Sequence, residues 1–115
     1  MECKSNDHID GSKASDVIVG LGGDDLLRGG PNNDVIQGGP DDDKIFGNSG
    51  NDNIQGGPGL DQMYGDSGND VLFGGFEDDF ISAGQGNDEL MEETEMMCCR
   101  VVQVLIILTA VPVLT

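Results

Sequence analysis

Tryptophan is absent from this 115-residue chain, and tyrosine and histidine occur once each. With so few large side chains, a conventional layered core is hard to fill. The lone histidine, His8, excludes an HExxH zinc site and leaves no basis for a histidine-containing catalytic triad. Basic residues are also scarce: five Lys and Arg face 22 Asp and Glu, giving a formal charge of −17. Nucleic acid is thereby excluded as a natural partner, because phosphate binding needs a basic footprint. The three cysteines, Cys3, Cys98 and Cys99, form no readable disulfide framework. The first ten residues lack an apolar h-region, so no classical signal peptide is expected there. Eleven of the apolar residues fall in the last fifteen positions, which leaves the rest of the chain poor in core formers.

What the chain does have is a ladder. An aspartate recurs every nine residues at Asp7, Asp16, Asp25, Asp34, Asp43, Asp52, Asp61, Asp70, Asp79 and Asp88. Two residues after each rung stands an aliphatic side chain: Ile9, Ile18, Leu27, Ile36, Ile45, Ile54, Met63, Leu72, Ile81 and Leu90. Five residues before most rungs stands a glycine, from Gly11 to Gly74, with Ala83 closing the series. A carboxylate, a core-type aliphatic and a turn glycine held in constant phase define a repeat architecture.

Each nine-residue unit divides into a turn and a strand. Its first six residues carry glycine at the first, second and fourth places, where positive φ and close backbone approach are expected. Its last three place one inward aliphatic between two outward residues, a minimal strand. Nine residues cannot bury their own side chain, so units must stack. Two units then make one coil of 18 residues, and successive coils pair as parallel strands about 4.8 Å apart. One sheet should carry Ile9, Leu27, Ile45, Met63 and Ile81; the other, Ile18, Ile36, Ile54, Leu72 and Leu90. Such a core is thin against roughly 1–2 kcal/mol of backbone entropy per ordered residue.

Charge supplies the missing term. Residues 7–91 hold 16 Asp and 2 Glu against Lys13, Arg28 and Lys44, a net −15 that opposes collapse until cations neutralise it. Calcium suits these turns because it is hard and takes six to eight oxygens, carboxylate and carbonyl alike. The candidate ligands are Asp16, Asp25, Asp34, Asp43, Asp52, Asp61, Asp70, Asp79 and Asp88. Carbonyls of the turns containing Gly29, Gly38, Gly47, Gly50, Gly56, Gly59, Gly65 and Gly68 would complete them. Five stacked turns per edge leave four gaps, so at most about eight ions fit. Fourth-place glycines (Gly23, Gly50, Gly59, Gly68, Gly86) should give the best turns. Asn32 and Asp41 tolerate that place, whereas Ala14 and Glu77 suit it poorly.

Units such as GGPGLDQMY and GDSGNDVLF resemble the repeats of the RTX, or hemolysin-type, calcium-binding family, over about residues 7–91. The resemblance implies an all-β, right-handed parallel β-roll, a two-sheet solenoid with 18 residues per coil. It also implies calcium-coupled folding of a secreted, extracellular module exported by a type I-like route. The three cysteines and the C-terminal sequence depart from that family's usual pattern.

The expected division is a degenerate cap repeat at 1–10, the calcium-binding roll at 11–91, and an acidic linker plus non-repeat apolar tail at 92–115. The tail's apolar run of fifteen is shorter than a spanning helix needs. It reads as a marginal membrane segment with Cys98 and Cys99 as acylation sites, as a strand seeking a neighbour, or as sequence unrelated to the fold. The expectation is a non-enzymatic calcium-binding module, with a partner domain of a larger repeat protein as a further candidate partner. The alternative is a membrane-attached or adhesive module anchored by the tail. Phe46 and Tyr64, eighteen residues apart, should lie side by side on one outer sheet face, near Phe80.

Overall fold

The computed structural model describes residues 5–91 and 105–107. Within them every regular element is a three-residue strand: β1 (His8–Asp10), β2 (Val17–Val19), β3 (Leu26–Arg28), β4 (Val35–Gln37), β5 (Lys44–Phe46), β6 (Asn53–Gln55), β7 (Gln62–Tyr64), β8 (Val71–Phe73), β9 (Phe80–Ser82), β10 (Glu89–Met91) and β11 (Leu105–Ile107). The nine-residue period produces this spacing directly. Each x-U-x triplet is extended, and each glycine-rich hexapeptide reverses the chain toward the opposite sheet.

Odd and even strands separate. One sheet runs β1-β3-β5-β7-β9-β11 and the other β10-β8-β6-β4-β2. Every pairing is parallel, and from β1 to β10 partners stand 18 residues apart, as in Ile9↔Leu27, Ile45↔Met63 and Ile54↔Leu72. The chain is therefore the two-sheet parallel roll expected from the repeat. Turns are tied as well as strands. Gly20 N–H donates to the Gln37 carbonyl at 2.9 Å, and Val35 N–H to the Asp16 carbonyl at 2.9 Å, a pattern repeated along both edges.

Inward aliphatics fill the space between the sheets. Leu27, Ile36, Ile45, Ile54, Met63, Leu72 and Ile81 are fully buried, Ile18 is buried, and Ile9 and Leu90 pack against the ends of the row. The core is one side chain wide per strand. Each buried aliphatic contributes about 1.5–3 kcal/mol, so ordering nine residues around it needs the hydrogen-bonded turns too. The outer face of the odd sheet carries a ring column: Phe46 and Tyr64 stack at 4.9 Å with planes 10° apart, and Phe80 meets Tyr64 edge-on at 5.7 Å. The even sheet's outer face instead exposes Val17, Val19 and Val35.

Strand β1 pairs with β3 in register, Ile9 opposite Leu27, as the expected row of aliphatics requires. Part of the apolar tail is strand: β11 lies parallel to β9, Ile106 opposite Ile81, and extends the odd sheet. Among the described residues no helix is long and apolar enough to cross a membrane. Cys3, Cys98 and Cys99, the last two with their acylation reading, and the acidic linker from residue 92 lie outside the described residues.

Candidate metal centre

The turn residues have distinct tasks that the sequence pattern alone merged. Positive φ occurs at the second and fourth places of the units, for example Gly39 (97°), Gly57 (94°), Gly50 (106°) and Gly59 (120°). First-place glycines do not adopt it. Their requirement is space: an added Cβ at Gly38 would lie 2.6 Å from Asp43 Oδ2 and 2.9 Å from the Gly56 carbonyl oxygen of the next coil. Of the two uses expected of these glycines, positive φ falls to the second and fourth places and close approach to the first. Glu77 takes the left-handed conformation at φ 75°, as do Leu21, Asn48 and Asp66 at second places. Stacking between neighbouring coils imposes it despite the cost to side chains with a Cβ. Ala14 does not adopt it. Its N–H instead donates to Ser12 Oγ at 3.1 Å, and Ser12 N–H donates to Asp16 Oδ2 at 2.7 Å, so this first turn closes locally.

The rung aspartates come together as two stacked edges, Asp7, Asp25, Asp43, Asp61 and Asp79 on one and Asp16, Asp34, Asp52, Asp70 and Asp88 on the other. From Asp25 onward each carboxylate is fixed by the coil before it: Asp34 N–H donates to Asp52 Oδ1 at 2.8 Å, Asp43 N–H to Asp61 Oδ1 at 2.8 Å, and Asp52 N–H to Asp70 Oδ1 at 2.8 Å. Asp25, Asp34, Asp43, Asp52, Asp61, Asp70 and Asp79 are all buried. Asp16 and Asp88 are half-buried at the ends of their edge.

The second carboxylate oxygen marks the site. Oδ2 of Asp25, Asp34, Asp43, Asp52, Asp61 and Asp70 is buried and receives no hydrogen bond from the described residues. In each case it points to the space beside the glycine five residues earlier. There a carbonyl oxygen of the following coil also arrives, so that a Cβ placed at Gly20, Gly29, Gly38, Gly47, Gly56 or Gly65 would meet both. The Oδ2 distances to that point are 2.6–2.7 Å and the carbonyl distances 2.7–3.2 Å. Leaving a buried ionised oxygen unsatisfied is costly. A hard cation would satisfy it, and glycine's missing side chain leaves the room.

Electrostatics agree. Burial pushes the carboxyls of Asp43, Asp52 and Asp70 up to about 7 and that of Asp61 up to about 8. In each the hydrogen bond from the preceding rung's N–H opposes the rise and neighbouring carboxylates add to it. Asp25, Asp34 and Asp88 are raised too, again chiefly by burial. Among the described residues no three Asp, Glu, His or Cys side chains converge as a metal cluster. A cation here therefore needs main-chain carbonyls beside carboxylates, the mixed oxygen set that calcium accepts.

One functional row escaped the pattern reading. Fifth-place Asn and Asp side chains form an outer ladder in the reverse sense, accepting from the backbone one coil later: Asn33 Oδ1 from Asn51 N–H at 2.8 Å, Asn51 Oδ1 from Asn69 N–H at 2.8 Å, and Asp24 Oδ1 from Asp42 N–H at 3.0 Å. Its signal was present, since Asn or Asp precedes nearly every rung.

Neither a curated protein nor a solved structure matches the chain. The family model described as RTX calcium-binding nonapeptide repeat (4 copies) matches residues 4–36, 28–63 and 55–90, which together span most of the sequence. With its 18-residue coils, paired aspartate edges and glycine-rich turns, the chain belongs to the RTX calcium-binding nonapeptide repeat family.

Proposed function

We propose that this protein is a non-enzymatic calcium-binding module that folds when its turns take up the ion. The observation that carries this reading is the convergence of a buried, unsatisfied Asp Oδ2 and a next-coil carbonyl at six points. The residues that would hold the ions are Asp25, Asp34, Asp43, Asp52, Asp61 and Asp70. Carbonyls of Gly38, Gly47, Gly56, Gly65, Gly74 and Ala83 face them across the gaps. Calcium supplies positive charge and six to eight oxygen positions when bound.

The chain's own residues explain the coupling. Without neutralisation the stacked carboxylates repel, and the thin aliphatic rows cannot hold the coils together. Neutralised edges let the inter-coil hydrogen bonds and the aliphatic rows form together, so binding free energy becomes folding free energy. Six divalent ions would bring about +12 against the −15 of residues 7–91, a near balance. Shared charge and open turns suggest affinities of about 10⁻⁴ to 10⁻³ M, the extracellular class. A secreted protein meeting such calcium outside the cell fits both this range and the family.

Titration calorimetry of the full chain tests the reading. Uptake of about six ions in the sub-millimolar to millimolar range is expected, with magnesium a poor substitute because it demands near-ideal octahedral geometry. Absence of calcium heat, or equal response to magnesium, would reject it.

A further inference from the structure

The two edges of the roll are chemically unequal, although the nonapeptide rule makes them formally alike. Described turn residues on the Asp25 edge carry ten acidic groups: Asp7, Asp24, Asp25, Asp41, Asp42, Asp43, Asp61, Glu77, Asp78 and Asp79. The Asp34 edge carries six, Asp16, Asp34, Asp52, Asp66, Asp70 and Asp88, and also Lys13. The difference is concentrated in the outer ladder. Its accepting side chains are Asn6, Asp24 and Asp42 on the first edge, where Leu60 and Asp78 hold the next fifth places, and Asn33, Asn51 and Asn69 on the second. Both residue types make the same bond there: Asp42 Oδ1 accepts from Leu60 N–H at 2.9 Å, just as Asn69 Oδ1 accepts from Asn87 N–H at 2.9 Å. At Asp24 and Asp42 the bonding thus matches that of the asparagines and the charge differs.

We propose that the edges form two classes of calcium site, the Asp25 edge filling first, and that the exposed carboxylates of Asp24 and Asp42 set the difference. This deepens the calcium reading and rests on it. Each edge has three of the points where a buried Oδ2 meets a carbonyl, at Gly20, Gly38 and Gly56 and at Gly29, Gly47 and Gly65. Site number therefore does not separate them. Field strength does. Asp24 and Asp41 both act on the carboxyls of Asp25 and Asp43, and Asp42 acts on Asp61. On the other edge Asp34 feels Asp16, and Asp52 and Asp70 feel Asp66 beside their neighbouring rungs, but no fifth-place carboxylate acts on any of them.

Backbone conformation adds to the contrast. The Asp25 edge holds Leu21 and Glu77, side chains poorly suited to the left-handed region, at φ 72° and 75°, whereas the non-glycine residues that adopt it on the Asp34 edge are Asn32, Asn48 and Asp66, types that tolerate it as Asp41 does on the first edge. More repulsion and more strain make the first edge the one that stays open without ions. The same excess charge draws a divalent cation there first. Asp24 and Asp42 act through the field rather than as ligands, so they are positioning and tuning residues. A single charge about 8 Å from a divalent ion in water is worth about fivefold in affinity at low ionic strength, and less at physiological salt.

The test is calorimetry of the full chain and of the variant Asp24→Asn/Asp42→Asn, with far-UV circular dichroism on the same samples. Asparagine keeps the ladder acceptor, as the other edge demonstrates, so the roll should still form. Expected for the parent are two sets of about three ions. In the variant the tighter set should weaken about fivefold toward the other at low ionic strength, with ion number unchanged. The reciprocal variant Asn33→Asp/Asn51→Asp should tighten the weaker set. One set of equivalent sites in the parent, or a variant isotherm matching the parent's, overturns the proposal while leaving calcium binding intact. A parent that binds no calcium overturns the underlying reading and the proposal together.

Discussion

Gly56→Ala is the sharpest perturbation of a single site, because the substitution adds one carbon where the structure leaves a gap. That carbon would lie 2.6 Å from Asp61 Oδ2 and 3.0 Å from the Gly74 carbonyl oxygen, against ordinary contacts beyond about 3.4 Å. Neither neighbour moves freely. Asp61 is held through Oδ1 by the N–H of Asp43 at 2.8 Å, and Gly74 is backbone whose N–H is bonded to the Met91 carbonyl at 3.0 Å. Gly56 is not in the positive-φ region, so backbone strain does not confuse the result. Overpacking of this kind costs about 1–3 kcal/mol. Spread over about five remaining ions, 2 kcal/mol raises the calcium midpoint of folding about twofold, and the ion at this point is lost. Calorimetric stoichiometry together with a calcium titration followed by circular dichroism should show both effects. Ser49→Ala, at an exposed third place, serves as the control and should match the parent. A Gly56→Ala protein with unchanged ion number and midpoint would refute the assignment of the glycine spaces as ion positions.

Other expectations follow from the same geometry. Asp52→Ala and Asp70→Ala should each disturb two gaps, because Oδ1 of each braces the preceding coil and Oδ2 faces the following one; calorimetry should show up to two ions lost and reduced cooperativity. His8→Ala should leave calcium binding unchanged in the same assay. Ile54→Ala, at a fully buried position, should cost about 2–5 kcal/mol and shift the circular dichroism midpoint to higher calcium without changing stoichiometry at saturation. For calcium-free protein the pH dependence has a definite sign. The carboxyls of Asp43, Asp52 and Asp70 at about 7 and Asp61 at about 8 in the folded state stand above the unfolded value near 4. Their contribution is fully present below about pH 4 and is lost as pH rises through 7 to 8. Calcium-free protein should therefore gain β signal on acidification from pH 8 to pH 4.5, and a gain in the opposite direction would contradict the burial of these groups.

Much of the fold was legible because one constraint dominates it. A nine-residue phase fixes strand length, sheet membership and register together, so Ile45 opposite Met63 and Ile54 opposite Leu72 could be read before any coordinates. The stacked aspartate edges followed from the same arithmetic. What the pattern could not separate was why glycine recurs. First-place glycines leave room for Asp Oδ2, while second- and fourth-place ones bend the chain, and only the φ values and close approaches distinguish the two. Glu77 and Leu21 show inter-coil stacking overriding local preference, which residue-by-residue propensity cannot express. The outer Asn and Asp ladder was visible as composition but not as bonding, since its acceptors pair with main-chain N–H groups one coil away. The placement of Leu105–Ile107 beside β9 was beyond the repeat altogether, because the phase stops at Leu90.

The central claim is that calcium and the fold arrive together. Far-UV circular dichroism of the full chain, titrated with calcium at pH 7.5 and then reversed with a chelator, tests it most directly. The account predicts a largely disordered spectrum without the ion, a cooperative change to β between about 0.1 and a few millimolar calcium, and full reversal on chelation. A chain already β-structured in chelator at that pH, or still disordered at ten millimolar calcium, would contradict it.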